Sequence, residues 1–183
     1  MRKLIAAINM TVDGYCDHTS IDPEDDLLQH YNELLSNADT ILYGRITYQL
    51  MESSWPPMVK NPTGNKPMDE FAVLIDNISK IVYSRRLETV DWNNAKLKSE
   101  LIKEDILSLK QQAGKNILAG SRSIILALME LNLIDEYQLC IHPVILGKGL
   151  PLFKNIPNSI HLKLIKTKIF GSGAVTLYYE PGS

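Results

Sequence analysis

The chain has 183 residues, 45% of them apolar and 22% charged, the usage of a folded globular domain rather than a disordered or fibrous protein. Nineteen basic against twenty-one acidic residues leave a net charge of −2, so no basic excess exists to hold nucleic acid. No apolar stretch reaches the roughly 18 residues of a membrane helix. Cys16 and Cys140 fit neither a metal motif nor a disulfide framework. The expectation is one domain, 1–183, in a cytoplasmic protein.

Strand and helix signals alternate along the chain. Lys3 to Asn9 is a continuous apolar run of strand length that Asn9 ends. Asp22 can cap a helix that Pro23 opens, and Leu27, Leu28, Tyr31, Leu34 and Leu35 continue it at helical spacing. Thr40 to Tyr43 is a second strand, ending at Gly44, and a short helix from Ile46 to Glu52 follows. Ser53 to Pro67 holds four prolines and Gly64 and is expected to be an irregular surface loop. Pro67 opens a helix to Asn77. Lys80–Ser84 and Ala95–Lys98 are strand-like, Leu101–Ala113 is helical with Gly114 as its stop, and Asn116–Ala119 is a strand. A helix over Ser121–Leu131 and a strand over Glu136–Ile141 come next. Leu162–Phe170 and Ala174–Tyr179 flank Gly171-Ser172-Gly173, a hairpin signal. The pattern predicts an α/β protein: a mostly parallel central sheet between two helical layers, with a C-terminal antiparallel hairpin.

In open α/β sheets, ligands bind at the carboxyl ends of strands. Three of the expected strand ends carry groups suited to phosphate. Gly44-Arg45-Ile46-Thr47 combines a glycine, a helix N-terminus, a cation and a hydroxyl. Ser84-Arg85-Arg86 offers a hydroxyl and two guanidiniums for a phosphate monoester. Gly120-Ser121-Arg122 repeats the logic of the first turn. A pyrophosphate plus one further phosphate would use all three, which describes NADPH better than NADH. Other motifs carry less. His18, His30, His142 and His161 have no metal-ligand spacing, Gly147-Lys148-Gly149 lacks the P-loop pattern, and Trp55 and Trp92 are expected to be packing anchors.

The same residues carry a family resemblance. Leu42-Tyr43-Gly44-Arg45-Ile46-Thr47-Tyr48 resembles the glycine-arginine-x-threonine turn of dihydrofolate reductase-like proteins, and Asn116 to Ser121 resembles their second glycine turn. Leu133 to Tyr137, followed by His142-Pro143-Val144-Ile145-Leu146-Gly147-Lys148-Gly149-Leu150-Pro151-Leu152-Phe153, closely resembles the C-terminal signature of the bacterial riboflavin-biosynthesis reductase domain. Thr11-Val12-Asp13-Gly14-Tyr15 is similar to that domain's first loop. The resemblance implies a dihydrofolate reductase-like three-layer fold and an NADPH-dependent reductase. It implies Gly44, Arg45 and Thr47 near the cofactor phosphates, Ser84 and Arg85 at the adenosine phosphate, and Gly120, Ser121 and Arg122 at the pyrophosphate. Ala7 and Ile8 would line the nicotinamide pocket. A small-molecule substrate and a homodimer are implied as well. One departure is Ala119-Gly120, where the family commonly has paired glycines; an alanine would hinder positive φ there.

The substrate half carries weaker signals. Folate reduction needs a carboxylate on the first helix to bind the pterin and assist protonation. At 100° per residue Glu24 falls in line with Leu28 and Tyr31, while Asp25 and Asp26 turn toward solvent, which makes Glu24 the first candidate. Asp13, in the loop expected over the nicotinamide, is the second. No deaminase region precedes the reductase-like region, as one does in the bifunctional enzyme, so a different substrate is open. The alternatives are dihydrofolate reduction and a nucleotide-binding module without turnover.

Overall fold

The computed structural model describes residues 1–16, 24–156 and 158–182. The capping and opening roles expected of Asp22 and Pro23, and His18, fall outside them. Eight strands form one sheet in the order β4-β3-β2-β5-β1-β6-β8-β7. Their ranges are β1 Leu4–Thr11, β2 Ala38–Gly44, β3 Ser79–Tyr83, β4 Ala95–Lys98, β5 Asn116–Ala119, β6 Glu136–His142, β7 Leu162–Ile169 and β8 Val175–Pro181. The pairings from β4 through β6 are parallel, and β8 joins β6 and β7 antiparallel. The mostly parallel sheet with a closing hairpin is thus the expected one. Gly173 turns the hairpin at φ +84°, with Phe170 N donating to Ala174 O at 2.9 Å.

The five helices are α1 Asp25–Ser36, α2 Arg45–Lys60, α3 Lys66–Asn77, α4 Lys103–Gln111 and α5 Arg122–Glu130. One face of the sheet buries Ile106 of α4 and Ile124, Ile125 and Leu128 of α5 against Leu4, Ala6 and Ile117. The other buries Leu28 and Leu35 of α1, Tyr48 of α2 and Phe71 and Ile75 of α3 against Ile5, Ile41 and Val82. Two apolar layers on one sheet make three layers in all, because parallel strands bury both faces. The central strands read as unbroken apolar runs for that reason.

One expectation is overturned. Ser53 to Pro67 is not an irregular loop: α2 continues through Pro56 and Pro57 to Lys60 instead of stopping at Glu52. A proline inside a helix removes an N–H bond and crowds the preceding turn. Tertiary packing outweighs that cost here. Trp55 lies on Phe71 of α3 with ring centroids 4.4 Å apart, and Ser53 and Ser54 Oγ bond Leu50 O. Only 61–65 remain outside helices, and there Asn65 Oδ1 caps α3 by accepting from Met68 N at 2.9 Å.

Candidate active site

The strand order sets β3, β2, β5 and β1 side by side and parallel, so the segments leaving them emerge along one edge. The three turns singled out from the sequence therefore become neighbours. Gly44 is the N-cap of α2 and Ser121 the N-cap of α5, and neither helix has a side-chain cap. Two adjacent helix starts thus keep first-turn amides available for an anion. Gly44 N donates to the buried Ser121 Oγ at 3.0 Å, which ties the turns together. A Cβ on Gly44 would stand 2.6 Å from Ser123 Oγ, so glycine keeps the turns close. Ala119 ends β5 as a fully buried strand residue, and neither it nor Gly120 takes a positive φ. The alanine therefore costs the backbone nothing at this turn.

The cations of these turns are engaged differently. Arg45 Nη1 donates to Gln49 Oε1 at 3.0 Å from the first turn of α2. Ser84 Oγ accepts from Arg86 N and Leu87 N, both at 3.1 Å, and so builds its own turn. Arg85 pairs with Glu100 at 2.9 Å on the open surface, an interaction worth only about 0–1 kcal/mol that leaves it available. Arg122 Nε donates to the Pro151 carbonyl, which directs it to the loop after β6 and away from its own helix start.

Beside this edge lies a cavity of about 350 Å³. Ala7, Ile8, Thr47 and Gly120 line the end nearest the turns. Leu27, Leu28 and Tyr31 of α1, Leu50 and Trp55 of α2 and Phe71 of α3 form its walls. No Asp, Glu, Lys, Arg or His is among the described residues that line it. Glu24 is exposed at the N-cap of α1 and outside the lining, where a Cβ on Gly171 would lie 3.6 Å from its Oε2. Asp26 Oδ2 accepts from Gly171 N at 2.7 Å, and Asp25 Oδ1 accepts from Asn65 Nδ2 at 2.9 Å. Asp13 is exposed too. It accepts from Thr11 Oγ1 at 2.6 Å, Leu146 N at 3.2 Å and Gly147 N at 2.7 Å, and the Thr11 bond above all holds its carboxyl below the usual range. That carboxylate ties the first loop to the loop after β6.

The polar group that the sequence pattern did not single out is Asn9. Its Oδ1 accepts from Tyr31 OH at 2.6 Å and lies 3.1 Å from His142 Nε2, whose neighbour Cys140 Sγ is 3.5 Å away. Burial pushes the Tyr31 phenol and the Cys140 thiol up and the His142 imidazole down, so the cluster is neutral at pH 7. The available signal was a polar residue inside an apolar strand: β1 continues past Asn9 to Thr11, and Asn9 pairs with Cys140 in the β6 register.

Residues 2–176 match the model of the RibD C-terminal domain family. The chain is 34% identical over 187 residues to the uncharacterized protein YyaP of Bacillus subtilis, covering 98% of this chain and 95% of that one. Among solved structures, a putative riboflavin biosynthesis protein from Shewanella sp. PV-4 superposes with a TM-score of 0.75 at 18% identity over all of both chains. Dihydrofolate reductase from Enterococcus faecalis, solved with NADP(H), superposes with a TM-score of 0.59 at 14% identity, covering 99% of this chain and 97% of that one. The three-layer architecture is dihydrofolate reductase-like. No helix among the described residues is long and apolar enough to cross a membrane.

Proposed function

Since the chain belongs to the RibD C-terminal domain family, we propose that it is an NADPH-dependent reductase acting in the cytoplasm on a small heterocyclic or ribosylaminopyrimidine substrate. The observation that carries this is the alignment of Ser84-Arg85, Gly44-Arg45, Gly120-Ser121 and Ala7-Ile8 along one edge that opens into an apolar cavity. Uncapped first-turn amides of α2 and α5, with Arg45 beside them, suit a pyrophosphate. Ser84 and Arg85, one strand further out, suit the extra phosphate that distinguishes NADPH from NADH. When bound, the nicotinamide supplies the hydride.

The chain's own part is to orient and to exclude water. Ala7 gives the nicotinamide an apolar floor, with only the backbone of Ile8 beside it because the Ile8 side chain packs into the core on the other face, and Thr47 and Gly120 frame the passage from the turns into the cavity. Leu28, Trp55 and Phe71 close the far side and keep water from the reacting carbon. The described lining holds no carboxylate to grip a pterin, which sets a heterocycle or ribosylaminopyrimidine ahead of folate. The buried thiols of Cys16 and Cys140 accord with a reducing compartment. The proposal includes a homodimer, supported by exposed Leu164, Ile165 and Ile169 on edge strand β7 and tested by sedimentation equilibrium.

Titration of NADPH and NADH by nicotinamide fluorescence tests the cofactor assignment. Saturable binding with a clear preference for NADPH is expected. Absence of saturable binding by either nucleotide overturns it. NADPH oxidation across a panel of dihydropterins and ribosylaminopyrimidines then tests turnover.

A further inference from the structure

Among the described lining residues, Asn9 presents a fixed polar handle to the cavity. Two neutral groups meet on Asn9 Oδ1: the Tyr31 hydroxyl donates to it at 2.6 Å, and His142 Nε2 lies 3.1 Å away. An amide has one oxygen and one NH₂, so donors on the oxygen settle which way the group faces. The Asn9 NH₂ is thereby turned from Tyr31 and His142, with no partner among the described residues, on a side chain that lines the cavity. Asn9 also stands two residues beyond Ala7 on β1, and side chains at that spacing share one face of a strand. The donor is therefore next to the surface assigned to the nicotinamide. The rest of the described lining is apolar or weakly polar, with no Asp, Glu, Lys, Arg or His.

We propose that Asn9 is a substrate-orienting residue whose carboxamide N–H grips an acceptor, and that the cavity takes an uncharged, planar ring bearing a carbonyl. The inference rests on the reductase reading and narrows its substrate class. A charged group would have to shed its hydration inside an apolar wall with no counter-charge among the described lining residues. A ring that offers only donors would leave the Asn9 N–H unpaired. A carbonyl ring satisfies that N–H and buries its faces against Leu28, Trp55 and Phe71. The cavity of about 350 Å³ has room for two fused six-membered rings.

Binding is measured on the full chain without nucleotide, by quenching of Trp55, with Trp92 buried outside the cavity as constant background. The probes are chromone, naphthalene, 1-naphthylamine, 1-naphthoate and ribose 5-phosphate. Chromone is expected to bind saturably and about tenfold or more tighter than 1-naphthoate or ribose 5-phosphate. Asn9→Leu is expected to lose about tenfold in chromone affinity while leaving naphthalene almost unchanged. Asn9→Asp keeps the shape, turns the donor into an acceptor, and is expected to prefer 1-naphthylamine over chromone. No saturable chromone binding, unchanged chromone affinity in Asn9→Leu, or tighter binding of either charged probe overturns the proposal. If Asn9→Leu does not fold, the Asn9→Asp preference decides alone. Because no nucleotide is present, failure here leaves the NADPH titration intact, and failure of that titration leaves these affinities readable.

Discussion

The strand-end edge and the cavity meet at Ala7 and Thr47, but they are built on different principles. The edge is made of local pieces. Gly44-Arg45, Ser84-Arg85 and Gly120-Ser121 each lie within two residues of a strand end, and the parallel sheet only has to bring ready-made turns together. The cavity is made of distant pieces. Asn9 is positioned by a tyrosine 22 residues away and a histidine 133 residues away, and its walls come from three helices. Anion binding can be written in a short motif because a helix start and a cation suffice. Selectivity for a ring needs surfaces that exist only after folding. The two halves should therefore come apart by mutation.

The largest separation is expected from Arg45→Ala combined with Arg85→Ala. Charge-assisted hydrogen bonds contribute about 1.5–3 kcal/mol each, so NADPH affinity should fall about 100-fold or more. Chromone binding in the cavity should hardly change. Fluorescence titration of both ligands reads the pair, and a strong NADPH preference that survives the double change breaks the phosphate assignment. Next is Ser121→Ala. It strands the buried Gly44 N–H, which should lower stability by about 1–3 kcal/mol and the Tm by a few degrees. If the shared hydroxyl holds the two helix starts in place, NADPH affinity drops more than chromone affinity. Equal losses of the two would place Ser121 in the general core and blur the comparison.

The same division explains what could be read in advance. The apolar run of β1, the Gly-Arg turns and the Gly171-Ser172-Gly173 hairpin are set by neighbours in sequence, and the structure has them where the pattern indicates. The continuation of α2 through Pro56 and Pro57 depends on Trp55 meeting Phe71, a contact that prolines cannot announce. Arg122 had the right local signal, a cation in the first turn of a helix, but its guanidinium reaches Pro151 from a loop 29 residues on. Asn9 looked like the end of a strand because its partners, Tyr31 and His142, lie on other elements. Local chemistry can be read from a short stretch. The destination of a long side chain cannot.

A smaller effect probes the packing behind the cavity. His30 of α1 is buried beside Tyr31, Phe170 and Tyr178. Burial first, then Lys168 and Lys166, hold its imidazole down at about 4 from an ordinary value of 6.5, with Glu33 opposing. A pKa depressed by folding means that the unfolded chain takes up the proton first. Stability is therefore full above pH 6.5 and declines as pH falls from 6.5 toward 4. His30→Phe removes that component, so urea melts at pH 7.5, 6 and 5 should show a shallower decline than wild type. Parallel declines would mean that His30 is not the group responsible.

The smallest effect is expected at Asp13, in the loop after β1, the strand that carries both Ala7 and Asn9. As a loop tie, the carboxylate contributes only while ionised. Its depressed pKa means that the contribution is present above the ordinary carboxylate value of 3.8 and lost as pH falls through the lower folded value. Asp13→Asn keeps an oxygen for Thr11 or Gly147 but loses the charge, so its Tm should sit slightly below wild type at pH 7. The gap should close below pH 3.8. A proton donor working at neutral pH would need the opposite shift, toward pH 7. If Asp13→Asn abolishes NADPH oxidation while its melting curve matches wild type, the loop-tie role fails and Asp13 belongs to the chemistry. If turnover survives with the small melting shift, the acid lies elsewhere and the first loop is held for its shape.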